Sequence, residues 1–127
     1  MLNMKKYVRQ LIISSPALIA LVPATRVLSA YPDEVTQFPC VIIEEQGQRD
    51  EGFSDNLPNA ERVNVRLHVF TKTVKDFSTT TEVGKILHGI FRSDFWACTF
   101  NSEMQDTDES VKHRVMDFTR SFYEWEN

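Results

Sequence analysis

Catalysis needs acids, bases or nucleophiles held at set spacings. The side chains available for that work are three histidines, two cysteines and a few adjacent carboxylates. His68, His88 and His113 are far apart in the chain, and none lies at metal-ligand spacing from another histidine or a cysteine. Neither His-Glu-x-x-His nor a paired Cys-x-x-Cys occurs. His68 falls on the polar side of an alternating strand and His88 near a helix surface, so exposed, unpaired histidines are expected. Cys40 and Cys98 sit in the apolar runs Phe-Pro-Cys-Val-Ile-Ile and Phe-Trp-Ala-Cys-Thr-Phe. They read as small buried hydrophobes, because two cysteines are too few for a disulfide scaffold. The pairs Glu44-Glu45 and Asp108-Glu109 cannot flank one scissile bond, since adjacent strand residues point to opposite faces. A Gly-rich phosphate loop and a Gly-x-Ser-x-Gly elbow are also missing from the sequence. No residue stands out as catalytic, metal-ligating or cofactor-binding, and the expectation is a protein that is not an enzyme and takes no cofactor.

Charge narrows the partners. The 127 residues suit one domain, and 42% hydrophobic content suffices for one core. With 18 acidic against 14 basic residues the net charge is −4, whereas a chain that grips phosphates carries a basic excess. DNA that slides past without being held is compatible with this balance. The acids are concentrated: Glu44 to Arg62 has six acidic and two basic residues, and Glu103 to Glu109 has four acidic and none basic. Glu44, Glu45, Arg49, Asp50, Glu51, Asp55, Glu103, Asp106, Asp108 and Glu109 are therefore candidates for subunit contacts or for a lumen lining. The plainer reading is solvated loop charge. Lys5, Lys6 and Arg9 followed by an uncharged stretch from Gln10 to Thr25 imitate a secretory signal. Pro16 and Pro23 interrupt that stretch, which is also too short to span a bilayer. It is read as folded domain, with no membrane partner and a reducing cytoplasm as the default surroundings.

These side chains have to be positioned by regular elements. Tyr7, Val8, Leu11 and Ile12 mark one face of a helix over 4–14. Ser15-Pro16 then reads as an N-cap with proline at the first helical position, opening a short turn through Leu21. A short strand is expected over 26–31, and another over 38–46 that is apolar on both faces at Cys40-Val41-Ile42-Ile43. The polar stretch 47–59 is expected to be a long loop or an extended hairpin tip. Val63, Val65, Leu67 and Val69 alternate strictly with polar residues, the mark of a strand with one core face. Thr79-Thr80-Thr81-Glu82 fits a capping box, and Val83, Ile86, Leu87, Ile90 and Phe91 form one helical stripe after it. Strands over 95–101 and from about 111 to 125 complete one α+β domain with a largely antiparallel sheet of four to five strands and two helices. Phe118, Phe122, Tyr123 and Trp125 crowd the last strand on both faces, which makes them candidates for packing or for an interface with another subunit.

The order of these parts resembles the tail-completion, or tail-terminator, proteins of long-tailed phages. The resemblance runs through Leu18-Ile19-Ala20-Leu21-Val22-Pro23-Ala24-Thr25-Arg26-Val27, Phe38-Pro39-Cys40-Val41-Ile42-Ile43, Val63 to Phe70 and the helix Val83 to Phe91. The acidic strand end at Glu44-Glu45 departs from the family's pattern. The resemblance implies a virion protein that forms a ring, commonly hexameric, on the last layer of tail-tube subunits. Such a ring stops polymerisation and presents a docking surface to the head connector, while DNA passes through. It further implies that exposed edges and the 47–61 segment meet a neighbouring subunit, the tube or the connector. Another neck or minor tail component of the head-closure type is the nearest alternative. A dimeric cytoplasmic ligand-binding module is a more distant one.

Overall fold

The computed structural model describes residues 3–32, 34–35, 37–54, 57–72, 79–104 and 110–123, the side chains of 52–54 and 57–59 excepted. Its elements are helices α1 (Met4–Ile13) and α2 (Pro16–Leu21), a 3-10 turn (Ala24–Arg26), strands β1 (Val27–Leu28), β2 (Cys40–Ser54) and β3 (Leu57–Lys72), helix α3 (Thr80–Ser93), and strands β4 (Ala97–Met104) and β5 (Val111–Tyr123). Each helix starts where a side chain accepts a free backbone N–H: Asn3 from Lys6, Ser15 from Leu18, and Thr79 from Glu82.

The strands form one sheet in the order β1-β2-β3-β5-β4. Only the β1–β2 pair is parallel. The three helices cover one face. There Val63, Val65, Leu67 and Val69 of β3 are fully buried beside Val41 and Ile43 of β2 and Met116, Phe118 and Phe122 of β5. The helices contribute Met4, Val8 and Ile12 from α1, Leu18 from α2, and Val83, Leu87 and Phe91 from α3. A smaller cluster of Phe38, Cys40, Ile42 and Phe70 lies on the opposite face, with Leu28, Val35 and Val111 packed against it. Arg9 straps α1 to the start of the sheet by donating to the carbonyls of Val27 and Ala24, each at 3.0 Å.

The expected strand at 26–31 is only two residues long, because Ala24–Arg26 closes into a 3-10 turn and the chain then leaves the sheet. The 47–59 segment is the hairpin: β2 runs on to Ser54 and turns back as β3 at Leu57. Of the two glycines inside α3, Gly84 packs closely, since a Cβ there would lie 3.1 Å from Arg114 Cδ. Gly89 has open space instead, so close packing explains only the first.

The corner between α3 and β4 is held by several converging hydrogen bonds. Trp96 N–H donates to Phe91 O at 2.9 Å and Phe95 N–H to Arg92 O at 3.1 Å, the paired bonds of a Schellman C-cap. Its left-handed position, normally glycine, is Phe95, with φ of 68° and a side chain 81% exposed. The corner is pinned by Asp94. Its Oδ2 accepts from Tyr7 Oη at 2.7 Å, from Arg120 Nη1 at 2.9 Å and from Trp96 Nε1 at 3.1 Å. That single oxygen ties α1, β5 and the corner together. Burial, followed by the hydrogen bond to Asp94, raises the Tyr7 phenol above its ordinary pKa and keeps it a donor.

Two outcomes follow from this geometry. Asp94→Ala removes the acceptor that the Arg120 guanidinium shares with two further donors, Tyr7 and Trp96, and leaves Arg120 its contact with Tyr7 Oη at 3.0 Å. It should cost about 2–3 kcal/mol, read as a lowered urea midpoint at unchanged slope. Phe95→Gly relieves about 1–2 kcal/mol of left-handed strain. It gives back about 0.5–1 kcal/mol in unfolded-state entropy and about 0.5 kcal/mol of cation–π contact with Arg120. Its stability should therefore stay within about 1 kcal/mol of wild type in the same urea titration, which separates Phe95 from the residues that hold the fold.

Candidate functional site

Period-two alternation sends Arg62, Asn64, Arg66 and His68 of β3 to the face of the sheet turned away from the helices. Strand pairing gives the charges there partners. Arg66 makes a two-pronged ion pair with Asp117 of β5, at 2.8 and 3.1 Å. That pairing pushes the Arg66 pKa further up. Arg62 donates to Glu51 at 2.9 Å and to Thr119 Oγ1 at 3.2 Å, and Ser121 donates to the same Glu51 carboxylate. The Ser121 hydroxyl and the Arg62 guanidinium hold the Glu51 carboxyl below the usual carboxylate range.

His68 corrects the expectation of exposed, unpaired histidines, for it is 8% exposed. Its Nε2 is 2.8 Å from Glu44 Oε2 and its Nδ1 is 2.9 Å from His113 Nε2. A carboxylate can only accept, so in the neutral arrangement His68 Nε2–H donates to Glu44 and His68 Nδ1 accepts from His113. Tyr31 meets the His68 ring edge-on at 5.2 Å, and Phe70 stacks on His113 at 4.1 Å. The cause is tertiary: β2 and β5 bring Glu44 and His113 to either side of β3, and Tyr31 packs against His68 and Phe70 at that end of the sheet. Glu44 is thus a strand residue paired with His68, its side chain still 44% exposed. His88 is half-buried above Phe118. No nucleophile lies in this arrangement, and among the described residues no group of three His, Cys, Asp or Glu side chains is placed to hold a metal ion. Cys40 is buried, which pushes its thiol up to about 11, and burial also raises that of the half-buried Cys98. Neither thiol is activated.

The remaining acidic candidates divide by position. Glu45, Arg49 and Asp50 are exposed on β2. Glu103 on β4 is exposed and accepts from Thr80 Oγ1 at 2.7 Å. Asp55, Asp106, Asp108, Glu109 and Trp125 lie outside the described residues. Phe118 and Phe122 are in the core at 1% and 2% exposure, and Tyr123, 42% exposed, stands opposite Ala60. Among the described residues the last β5 pair is Ala60↔Tyr123, and the β2–β3 ladder runs on beyond it to Ser54↔Leu57 as a two-stranded arm.

Sequence reasoning missed the α3–β4 corner. A helix ending in Asp-Phe where glycine is usual was the available signal. Beside that corner, Asn3, Lys6, Tyr7, Gln10, Leu11 and Ser14 of α1 and its cap line an open groove of about 610 Å³. The sheet is open along two unlike edges. Among the described residues, β1 pairs with β2 only at Val41 and Ile42, and β4 pairs only with β5. The edge strand β4 exposes Phe100 and Met104.

The comparisons with known proteins agree with this architecture. A family model described as tail completion protein gp17 matches residues 6–121. No curated protein matches the chain. Among solved structures, a chain from the virion of a native gene transfer agent particle has the same fold, with a TM-score of 0.64 at 13% identity, covering 91% of this chain and 91% of that one. Matched across nearly its whole length, the chain belongs to the tail completion protein gp17 family, structural proteins of the phage tail, and so takes its place in the virion tail.

Proposed function

We propose that the protein closes the end of the tail tube as a ring of identical subunits, the most direct use of a sheet with two unlike open edges.

 The observation that carries this reading is the pairing of family membership with that open sheet. A ring needs heterologous contacts, in which one surface of a subunit meets a different surface of the next. The free edge of β2 and its arm lie at one side of the sheet, and the free edge of β4 lies at the other. A two-fold dimer would use one patch twice and leave the second edge bare.

In this reading the ring is a hexamer seated on the last layer of tube subunits. It stops their polymerisation and offers its far side to the head connector. No bond is made or broken, and selectivity lies in shape and charge. The exposed acids Glu45 and Asp50 supply like charge along the path of DNA, which then slides through without being held. The α1 groove is open to solvent and, among the described residues, is lined by a single helix and its caps, which favours assembly over the binding-module alternative.

Light scattering over a concentration series, with negative-stain images of the same sample, tests the proposal. The expected result is a particle of six subunit masses with a central hole, formed either by the free protein or at the ends of added tail tubes. A discrete dimer that leaves tube ends growing would overturn it.

A further inference from the structure

An edge strand presents a row of unpaired backbone N–H and C=O groups, which folded proteins usually blunt with lysine, proline or a very short strand. Strand β4 has eight residues, Ala97 to Met104, with neither lysine nor proline among them. Among the described residues it pairs only with β5, so its far side is open. Phe100 and Met104 are 41% and 39% exposed there. Both lie on the sheet face turned away from the helices, opposite Asp117 and His113. At the other margin of the sheet, β1 occupies the edge of β2 at Val41 and Ile42 alone. From Ile43 to Arg49 no described strand pairs with that edge.

The directions of the strands make these two edges complementary. β3 runs antiparallel to β2 and to β5, and β4 runs antiparallel to β5. The open edges of β2 and β4 therefore point in opposite directions. When rotation about a ring axis carries one copy onto the next, β4 of the first meets β2 of the second as an antiparallel pair, and the alternation of the sheet continues unbroken. We infer that β4 of one copy pairs edge to edge with β2 of a second copy, Ala97–Glu103 lying antiparallel along Ile43–Arg49. This inference rests on the ring reading and names the contact between its subunits.

Side-chain alternation and charge choose the register. The helix-side residues of one strand must meet those of the other. On β4 they are Cys98, Asn101 and Glu103, opposite Phe118, Met116 and Arg114; on β2 they are Ile43, Glu45 and Gln48, opposite Leu67, Val65 and Val63. Each strand carries one register shift, between Cys98 and Phe100 and between Glu45 and Gly47, so Thr99 and Gln46 are the extra residues. Setting Phe100 opposite Gly47 brings the two series into step. Asn101 then meets Glu45, Ser102 meets Glu44, Cys98 meets Gln48 and Ala97 meets Arg49, and no like charges face each other. A shift of two residues toward the arm would set Glu103 against Glu45, which repel. A Cβ on Gly47 would meet nothing within 4 Å, and in this register the Phe100 ring covers that open space. The span starts where β1 lets go of β2.

Thiol cross-linking of the full chain tests the contact. Ala97 and Arg49 are both exposed. Directly opposite each other, they have Cβ atoms roughly 4.5–5.5 Å apart. Ala97→Cys with Arg49→Cys, combined with Cys98→Ser, leaves the buried Cys40 as the other thiol. Assembled particles treated with a short bismaleimide should give a ladder of covalent multimers on a denaturing gel. Chains with only one of the two new cysteines should stay monomeric on that gel. A link formed by either of them alone would mean a two-fold contact and overturn the proposal. Particles that assemble but give no ladder would overturn it as well and leave the ring reading intact. A second variant, Phe100→Lys with Met104→Lys, puts charge on the edge and keeps a lysine facing Asp117 of β5. Its urea midpoint should match wild type, and it should need about tenfold more protein, or more, to assemble by light scattering and negative stain. Assembly at the wild-type concentration would overturn the contact. A wild-type protein that forms no ring in solution or on tube ends would remove both readings.

Discussion

The whole molecule hangs on the alternation of β3. Val63, Val65, Leu67 and Val69 face the helices and are buried, while Arg62, Asn64, Arg66 and His68 face away. Burying each of those aliphatic side chains contributes about 1.5–3 kcal/mol. A slip of one residue would exchange the two faces, so the register of the central strand is held on both sides at once. Because β2 and β5 both pair with β3, that register also decides which side chains of the outer strands meet. Glu44 reaches His68, Asp117 reaches Arg66, and Glu51 reaches Arg62 by this route alone.

Much of the charge on the outer face is therefore paired. Partly exposed pairs of this kind add little to stability, typically under about 1 kcal/mol each. Their effect is on what the surface can bind. With Arg62 and Arg66 held by carboxylates, this face has less to offer phosphate, in keeping with a net charge of −4 in a protein of the phage tail.

Rigidity at the α3–β4 corner has a different origin. One carboxylate oxygen of Asp94 gathers three donors from α1, β5 and the corner itself. The Arg120 guanidinium, largely buried, also lies 4.2 Å from the centroid of the Phe122 ring. The corner is thereby over-determined, which is the condition under which a strained residue such as Phe95 persists.

Much of this was legible in the sequence, and for local reasons. Caps at Ser15 and Thr79, the stripe from Val83 to Phe91 and the alternation of β3 are written in neighbouring residues, and each element formed where those signals stand. The absence of catalytic motifs and the likeness to tail-completion proteins were readable in the same way. Other features were decided by contacts between residues distant in the chain. His68 looked like a polar-face histidine, and only the convergence of Glu44 and His113 from two other strands buries it. The departure at Glu44 has the same explanation. The stretch 47–59 has the glycines and polar residues of a loop, and it is a strand pair because β2 and β3 continue their hydrogen-bonded ladder beyond the core. Asp94 and Arg120 are 26 residues apart and carry no motif. Short-range patterning determined the elements and the family; long-range pairing alone decided which charges are spent inside the fold.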